Sequence, residues 1–451
     1  MALEEQVLAN NAIPLRSFVK KMASGATPTV AEFDKYYSNA EEGHPFIRVQ
    51  NLSETGVLSL EDVKYINDFT QKVYLKRSQV EENDLVTKIT GVGRMAVSSV
   101  PPIGFKGNIN QHSVVIKTES REISEHLAAY LNSDIGEKLA TRRSTGGTRP
   151  ALDYPALRSI PVICNEEIFN KAREAKEERE QKENRAQELL ASIDDYLLNE
   201  LGINLPPEPE NSIENRKFRT SFSNVTGVRI DPFFHRPFYK ASSEVVSEGT
   251  FETIKLRDIC YPVRGVTYSR TDEVEFESDI RILRANNIDL KTNDLLFNDV
   301  RYLRDDFIPS SLQKLNEHDI LISIASGSKE HVGKVAFIEK DLNYYFGGFM
   351  SVFRMKSDSI NPKFLFYFLQ SRIFRRVLFK NLGGTNINNL TFSMISGIDI
   401  PFPPDVKQTE IVEFLDDIKN RYRNLQSSAT IDFQRAKREI EQLILNPDRN
   451  E

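Results

Sequence analysis

The sequence predicts an α+β protein: two copies of one domain with a mixed or antiparallel sheet, separated by two long helices that form an antiparallel coiled coil. Three observations carry this. Short matches recur in order at an offset of about 240 residues, each copy is dominated by short β-type runs, and each copy is followed by a long charged helix-forming stretch.

The repeat is the strongest of the three. Val92-Gly93-Arg94-Met95-Ala96 answers Val332-Gly333-Lys334-Val335-Ala336, and Glu82-Asn83-Asp84-Leu85-Val86 answers Glu317-His318-Asp319-Ile320-Leu321. Arg48 in PFIRVQNL pairs with Arg284 in RILRANNI. Ile13 to Arg16 pairs with Ile254 to Arg257, Tyr130 to Ser133 with Phe368 to Ser371, Gly146-Gly147-Thr148 with Gly383-Gly384-Thr385, and Ile160-Pro161 with Ile400-Pro401. The repeat also disposes of a nucleotide site at GSKEHVGKV (327–335). A phosphate loop needs four residues between its glycines and a hydroxyl after the lysine. Here five residues intervene and Val335 follows, so the run reads as a turn between the strands DILISI and KVAFIE.

Within each copy, PFIRVQNL, DLVTKIT and SVVIKT in the first, and DILISI, KVAFIE and MSVFRM in the second, are rich in β-branched and aromatic residues. Helical stretches follow, ISEHLAAYLNSDIGEKLATR and PKFLFYFLQSRIFRRVLFKN. Tyr130, Phe368 and the run Phe364, Phe366, Tyr367 are expected in the core. Residues 1–162 and 252–403 are therefore read as the two domains, 163–204 and 404–447 as the two helices, and 205–251 as a linker and lead-in. A length prior of ~150 residues per domain agrees with about three units.

The first helix, Glu166 to Leu201, has no Gly or Pro and is rich in Glu, Lys, Arg, Ala and Gln. Its end carries Ala186, Leu190, Ile193 and Leu197 at 4-3-4 spacing. The second carries Ile411, Leu415, Ile418, Tyr422, Leu425, Ala429, Phe433, Ala436, Ile440 and Leu443, a heptad seam with one four-residue slip. Two seams separated by a compact domain predict closure on each other. Packing of each helix on its own domain is the alternative. Asn165 to Glu200 holds eleven acidic and six basic side chains, a net of −5, so this one segment holds most of the chain's −6. The rest is nearly balanced and leaves room for local basic surfaces.

The 451 residues are 39% hydrophobic and 27% charged, with no apolar run of ~18 residues, so no membrane partner is expected. Cys164 and Cys260 cannot build a four-thiolate zinc site, and six scattered histidines show no ligand spacing. A cytoplasmic protein without disulfides, metal or other cofactor is the simple reading.

Several stretches resemble the specificity subunits of type I restriction-modification systems. SGATP (24–28) followed by PFIRVQNL resembles the opening of a target-recognition domain, and YLNSDIGEKLATRRSTGGTRPALDYPALRSIPV (130–162) its end. GIDIPFPPDVKQTEIVEFLDDI (397–418) resembles the boundary between domain and helix, and VRIDPFFHRPFY (228–239) the approach to the second domain. The resemblance covers nearly the whole chain. It implies a non-catalytic subunit whose two target-recognition domains each read one half of a bipartite double-stranded DNA target in the major groove. It implies that the coiled coil fixes the gap and docks two DNA-methylation subunits, which motor/nuclease restriction subunits join. Similar subunits serve type IIB-like systems, and a two-module scaffold that ignores DNA is a further alternative. One departure is that the first domain begins almost at once, at Ile13, with no counterpart of the RIDPFF stretch before it.

Base edges are read by paired donors and acceptors, and phosphates by cations and hydroxyls. In the first copy the candidates are Arg48, Gln50 and Asn51, then Lys88, Arg94, Asn108, Asn110 and Gln111, then Arg142, Arg143, Thr148 and Arg149. In the second they are Arg264, Arg270, Arg284, Asn286 and Asn287, then Ser326, Ser328, Lys329 and Lys334, then Thr385, Asn386, Asn388 and Asn389. Asn-rich runs of this kind also form plain turns, and Arg48 and Arg284 also suit structural ion pairs. No catalytic residues are assigned. Leu205-Pro206-Pro207-Glu208 and Phe402-Pro403-Pro404-Asp405 lack the flanks of an adenine-methyltransferase loop, no glycine-rich cofactor loop opens a helix, and no Gly-x-Ser-x-Gly elbow occurs.

Overall fold

A computed structural model describes residues 2–210, 212–225, 230–382 and 388–446. The chain divides into two compact units, Met1–Arg185 with Asn424–Glu451, and Ala186–Arg423.

The first unit is built on a four-stranded antiparallel sheet in the order Lys21–Ser24, Ser113–Lys117, Leu85–Lys88, Ser98–Ser99. Its central strands SVVIK and LVTK are almost wholly buried, as expected of β-branched runs covered on both faces. A second, five-stranded sheet contains one parallel pair, His44–Ile47 beside Lys106–Ile109. Ile13–Pro14 pairs with Pro161–Val162 and ties the start of the domain to its end. The helices Arg121–Asn132 and Asp134–Thr141 pack Leu127, Tyr130, Leu131, Ile135 and Leu139 onto Leu85, Val114 and Ile116. Ser133 joins the two helices. Its hydroxyl donates to Tyr130 O at 2.6 Å and accepts from Gly136 N at 3.0 Å.

In the second unit the order is Cys260–Arg264, Met350–Met355, Ile320–Ser323, Val335–Phe337. A second sheet again has one parallel pair, Ile280–Leu283 beside Tyr345–Phe346. Thr253–Lys255 pairs with Asp399–Pro401. Helices Pro362–Gln370 and Arg372–Leu382 follow, joined by Ser371, whose hydroxyl donates to Phe368 O at 2.6 Å. Phe364, Phe366, Tyr367 and Phe368 are all buried in the core. The stretch GSKEHVGKV lies between the antiparallel strands Ile320–Ser323 and Val335–Phe337.

The same strand order thus recurs, and small details recur with it. Gly25 and Gly265 stand where the first strand of each four-stranded sheet leaves toward the parallel pair. A Cβ at Gly25 would lie 1.7 Å from Ile109 O, and one at Gly265 would lie 2.2 Å from Gly347 O, so only glycine lets the backbones pass. One sequence match needs correction. Leu15 N donates to Ile160 O and Leu256 N to Ile398 O, so the register equates Ile160 with Ile398 and Val162 with Ile400. The shared Ile-Pro dipeptide is displaced by two residues, a shift that keeps the same strand face buried.

The long helices run Glu166–Glu200 and Asp405–Leu445. Within the first unit, Lys171 meets Glu439 at 2.6 Å and Lys182 meets Asp432 at 2.6 Å, while the Arg179 guanidinium lies 5.1 Å from the Phe433 ring centre. Advance along one helix therefore means retreat along the other, so these portions are antiparallel. Within the second unit, Tyr196 stacks on Phe414 with ring centres 3.9 Å apart, and Glu200 meets Lys407 at 2.6 Å, again antiparallel. Of the seam positions, Ala186, Ile193, Leu197, Ile411, Leu415, Ile418, Ala429 and Ile440 are buried, and Leu190, Tyr422, Leu425, Phe433, Ala436 and Leu443 are half-buried. The charged middle of the first helix carries i,i+4 pairs, Arg179 with Glu183 and Lys182 with Glu178.

The first strand pairing of the chain begins at Ile13. A helix, Ala2–Ala9, precedes it, buries Val7, and is followed by Asn10, whose amide donates to Ile444 O (2.9 Å) and Leu445 O (3.0 Å). In the second unit the helix Pro237–Ser247 buries Val246, and Thr250 N donates to Leu201 O at 2.9 Å. A short helix and then a donor to the end of a long helix thus occur in both units, and these donors satisfy carbonyls that a helix C-terminus leaves open. Cys164 and Cys260 are free thiols. Among the described residues no helix is long and apolar enough to cross a membrane, and no group of three or more His, Cys, Asp or Glu is placed to hold a metal ion.

Candidate nucleic-acid interface

Arg48 and Arg284 each open a one-turn helix, Val49–Asn51 and Ala285–Asn287. The backbone N–H of Arg48 donates to Asn51 Oδ1 at 3.0 Å, and that of Arg284 to Asn287 Oδ1 at 2.8 Å. Asn51 Nδ2 donates to Glu61 O, and Asn287 Nδ2 to Leu296 O. Asn51 and Asn287 are 1% and 0% exposed. Their amides are committed to the backbone, so as base readers these two are corrected: they hold the turn that presents their neighbours.

Several other polar candidates are likewise structural. Lys334 is 2% exposed, and its ammonium donates to Ala285 O (2.7 Å) and Ile288 O (2.6 Å), clamping the same turn from below. Lys88 is buried and donates to Val92 O at 2.7 Å. Burial lowers both lysine pKa values from the usual range. Arg94 pairs with Asp134 at 2.7 Å and donates to Asn132 O and Ser133 O. Asn108 and Asn110 are buried, and Asn110 Oδ1 accepts from His112 N. Lys88, Lys334 and Asn110 are thus buried and Arg94 is held by Asp134 and two carbonyls, so the fold does not leave these four free to face a phosphate or a base. Arg142 and Arg143 pair with Glu4. The basic residues of the helix after the second sheet are also engaged: Arg372 with Asp194 and Asp195, Arg375 with Glu330 O, and Arg376 with Pro206 O.

The remaining candidates of the second unit converge. Arg264, Arg270, Arg284, Asn286 and Ser326 line one concavity of about 670 Å³, with His331 and Phe349 at its wall. Arg264 is placed by the end of its strand and donates through Nε to Gly348 O at 3.3 Å. Asp299 aligns Arg284, at 2.7 Å, and also accepts from the Asn286 amide. The Arg270 side chain is exposed and has no partner among the described residues. Ser326 stands on the short strand Ala325–Ser326, which pairs with Asn388–Asn389. Thr385 and Asn386 lie outside the described residues, as do the side chains of Lys329 and Asn388. In the first unit, Gln50, Thr148 and Arg149 are exposed, Arg48 is half-buried and donates to Asp62 O at 2.6 Å, and Gln111 bonds Thr27. The concavity can therefore offer two or three guanidinium groups, an amide and a hydroxyl to an anionic ligand with base-like edges. Sequence reasoning missed Asp299, His331 and Phe349. Only the Gly-Gly-Phe turn at 347–349 hinted at an outward-facing side chain.

Residues 248–431 match the family described as the type I restriction modification DNA specificity domain. The match makes this stretch similar to that family and covers 184 of the 451 residues. The match takes in every described residue of the concavity. The type I restriction enzyme EcoKI specificity subunit of Escherichia coli (strain K12) is 34% identical over 163 residues, 34% of this chain and 33% of that one. The StySPI specificity subunit of Salmonella potsdam is 33% identical over 163 residues, again 34% and 33%. The alignments thus span about a third of the length of these curated relatives. The solved type I restriction-modification S subunit from M. genitalium is 12% identical, with 96% of each chain covered and a TM-score of 0.40.

Proposed function

We propose that the chain is a non-catalytic DNA specificity subunit, acting in the cytoplasm. Residues 1–162 and 252–403 are two target-recognition domains, each reading one half of a bipartite duplex target in the major groove. The two long helices form an antiparallel coiled coil that fixes the gap, and they dock two DNA-methylation subunits to which motor/nuclease restriction subunits attach. The observation that carries the reading is the concavity in which Arg264, Arg270, Arg284, Asn286 and Ser326 meet inside a specificity-domain match. Arginine presents a fork of donors to guanine O6 and N7, and asparagine can pair with adenine N6 and N7. Asp299 accepts from Arg284 Nη2 and from the Asn286 side-chain nitrogen, which orders the ends of both side chains and lowers the ordering cost of a contact made through their remaining donors and acceptor. The recurrence of the strand order in the first unit supports a second reader with different loops. There the exposed set is Gln50, Gln111, Thr148 and Arg149.

The test is selection from a random-sequence duplex library by the chain together with its methylation partner. Two short fixed half-sites at a constant gap support the reading. No enriched sequence overturns it. Incubation of the isolated chain with labelled methyl donor and DNA gives no transfer if the chain is non-catalytic.

A further inference from the structure

Phe349 is 72% exposed, yet its backbone is held firmly. Its carbonyl accepts from Ile324 N at 2.9 Å and Ala325 N at 3.3 Å, and Met350 N closes the turn on Gly347 O at 2.8 Å. The side chain stands at the wall of the concavity lined by Arg264, Arg270, Arg284 and Asn286. A large apolar ring left in water on a rigid turn, among cationic and amide groups, gains nothing from the fold. It does offer apolar contact area to a ligand at little ordering cost. The same turn exists in the first unit, where Ile89 N donates to His112 O at 3.0 Å and Ser113 N to Asn110 O at 3.3 Å. The backbone is thus shared while the residues on it differ, Gln111 and His112 in one unit and Gly348 and Phe349 in the other.

We infer that Phe349 is a base-reading side chain of the second unit, packing against the C5-methyl group of a thymine in the major groove. Resting on the DNA-reading account above, this adds an apolar element to its hydrogen-bonding set. Thymine is the base that presents a methyl group there, and apolar contact with it distinguishes T from C without any hydrogen bond.

The experiment uses the full chain with its methylation partner and a duplex selected from the random library. Each thymine of the second half-site is replaced in turn by deoxyuridine, which removes only the methyl group. The intact protein should lose about three- to fivefold in affinity at one position, the scale of one buried methyl. F349A should bind the thymine duplex more weakly and show no further loss with uridine at that position, while its melting temperature stays unchanged. The inference is overturned if no uridine substitution weakens binding, if F349A keeps the same penalty, or if the half-site contains no thymine. A library that yields no preferred sequence instead overturns the DNA-reading account, and the inference with it.

Discussion

The Arg354 guanidinium grips the buried carboxylate of Asp319 through Nε at 2.9 Å and Nη2 at 3.0 Å. At the matching place in the first unit, Lys117 holds Asp84 at 2.5 Å. Each aspartate also accepts a backbone N–H from the turn before its strand, Asn316 N to Asp319 and Glu81 N to Asp84. The hydrogen bond that Arg354 donates to Asp319 raises the Arg354 pKa further. Burial pushes the Asp84 carboxyl above its usual range despite Lys117 beside it. The frame keeps the interaction while the cation changes, since either cation reaches the carboxylate from the neighbouring strand.

Removing one partner of such a pair leaves an uncompensated buried charge. Arg354→Met should therefore destabilise the second unit by about 3–5 kcal/mol, measured by chemical denaturation. Arg354→Met combined with Asp319→Leu should recover much of that loss. If the double variant is no more stable than the single one, the turn bond to Asn316 N matters more than the ion pair.

The turn residues divide by role. Asn287→Ala leaves the Arg284 N–H and the Leu296 carbonyl without their partner, at a cost of about 1–3 kcal/mol of stability. It should weaken binding to every sequence alike. Arg284 or Asn286 replacement should instead relax discrimination in one half-site by ~1–3 kcal/mol and leave the other unchanged. Competition binding with single-base variants of the target separates the two patterns, and equal losses for every sequence would mark Arg284 and Asn286 as structural as well.

Asp134 joins Arg94 at 2.7 Å and Lys437 at 3.3 Å, all within the first unit. The hydrogen bond from Arg94, with Lys437 nearby, holds its carboxyl below the usual carboxylate range. A depressed folded-state value means that this stability is present above the unfolded-state value of ~3.9 and is lost as pH falls through the folded-state value. Asp134 is half exposed, so solvent screening keeps the contribution below about 1 kcal/mol. Asp134→Asn should lower stability at neutral pH and flatten its decline below pH ~4, as read from urea midpoints across that range. A decline as steep as in the parent chain would assign the acid sensitivity elsewhere.

The long helices were legible because helix formers free of Gly and Pro, with apolar residues every three or four positions, have few alternatives. The core placement of Tyr130 and Phe368 was legible from their apolar neighbours at helical spacing. The polar loop residues were not. Asn287 and Asn286 are adjacent and identical in type, yet one caps a turn at 0% exposure and the other faces the concavity. Lys334 resembled a phosphate ligand, but its chain places the ammonium on two carbonyls. Sequence records which groups can donate. Which donors the fold consumes depends on contacts more than forty residues away, as between Lys334 and Ala285. The two-residue displacement of Ile400-Pro401 against Ile160-Pro161 was hidden for the same reason, since register belongs to the partner strand.

The central claim is that two readers are held apart by paired helices of fixed length. It is tested most directly by deleting one heptad from each helix at facing positions and repeating the library selection. Seven residues of helix span ~10.5 Å, about three base-pair rises. The account predicts both half-sites unchanged and the gap between them shorter by about three base pairs. A well-folded variant that selects the same half-sites at the original gap would contradict it.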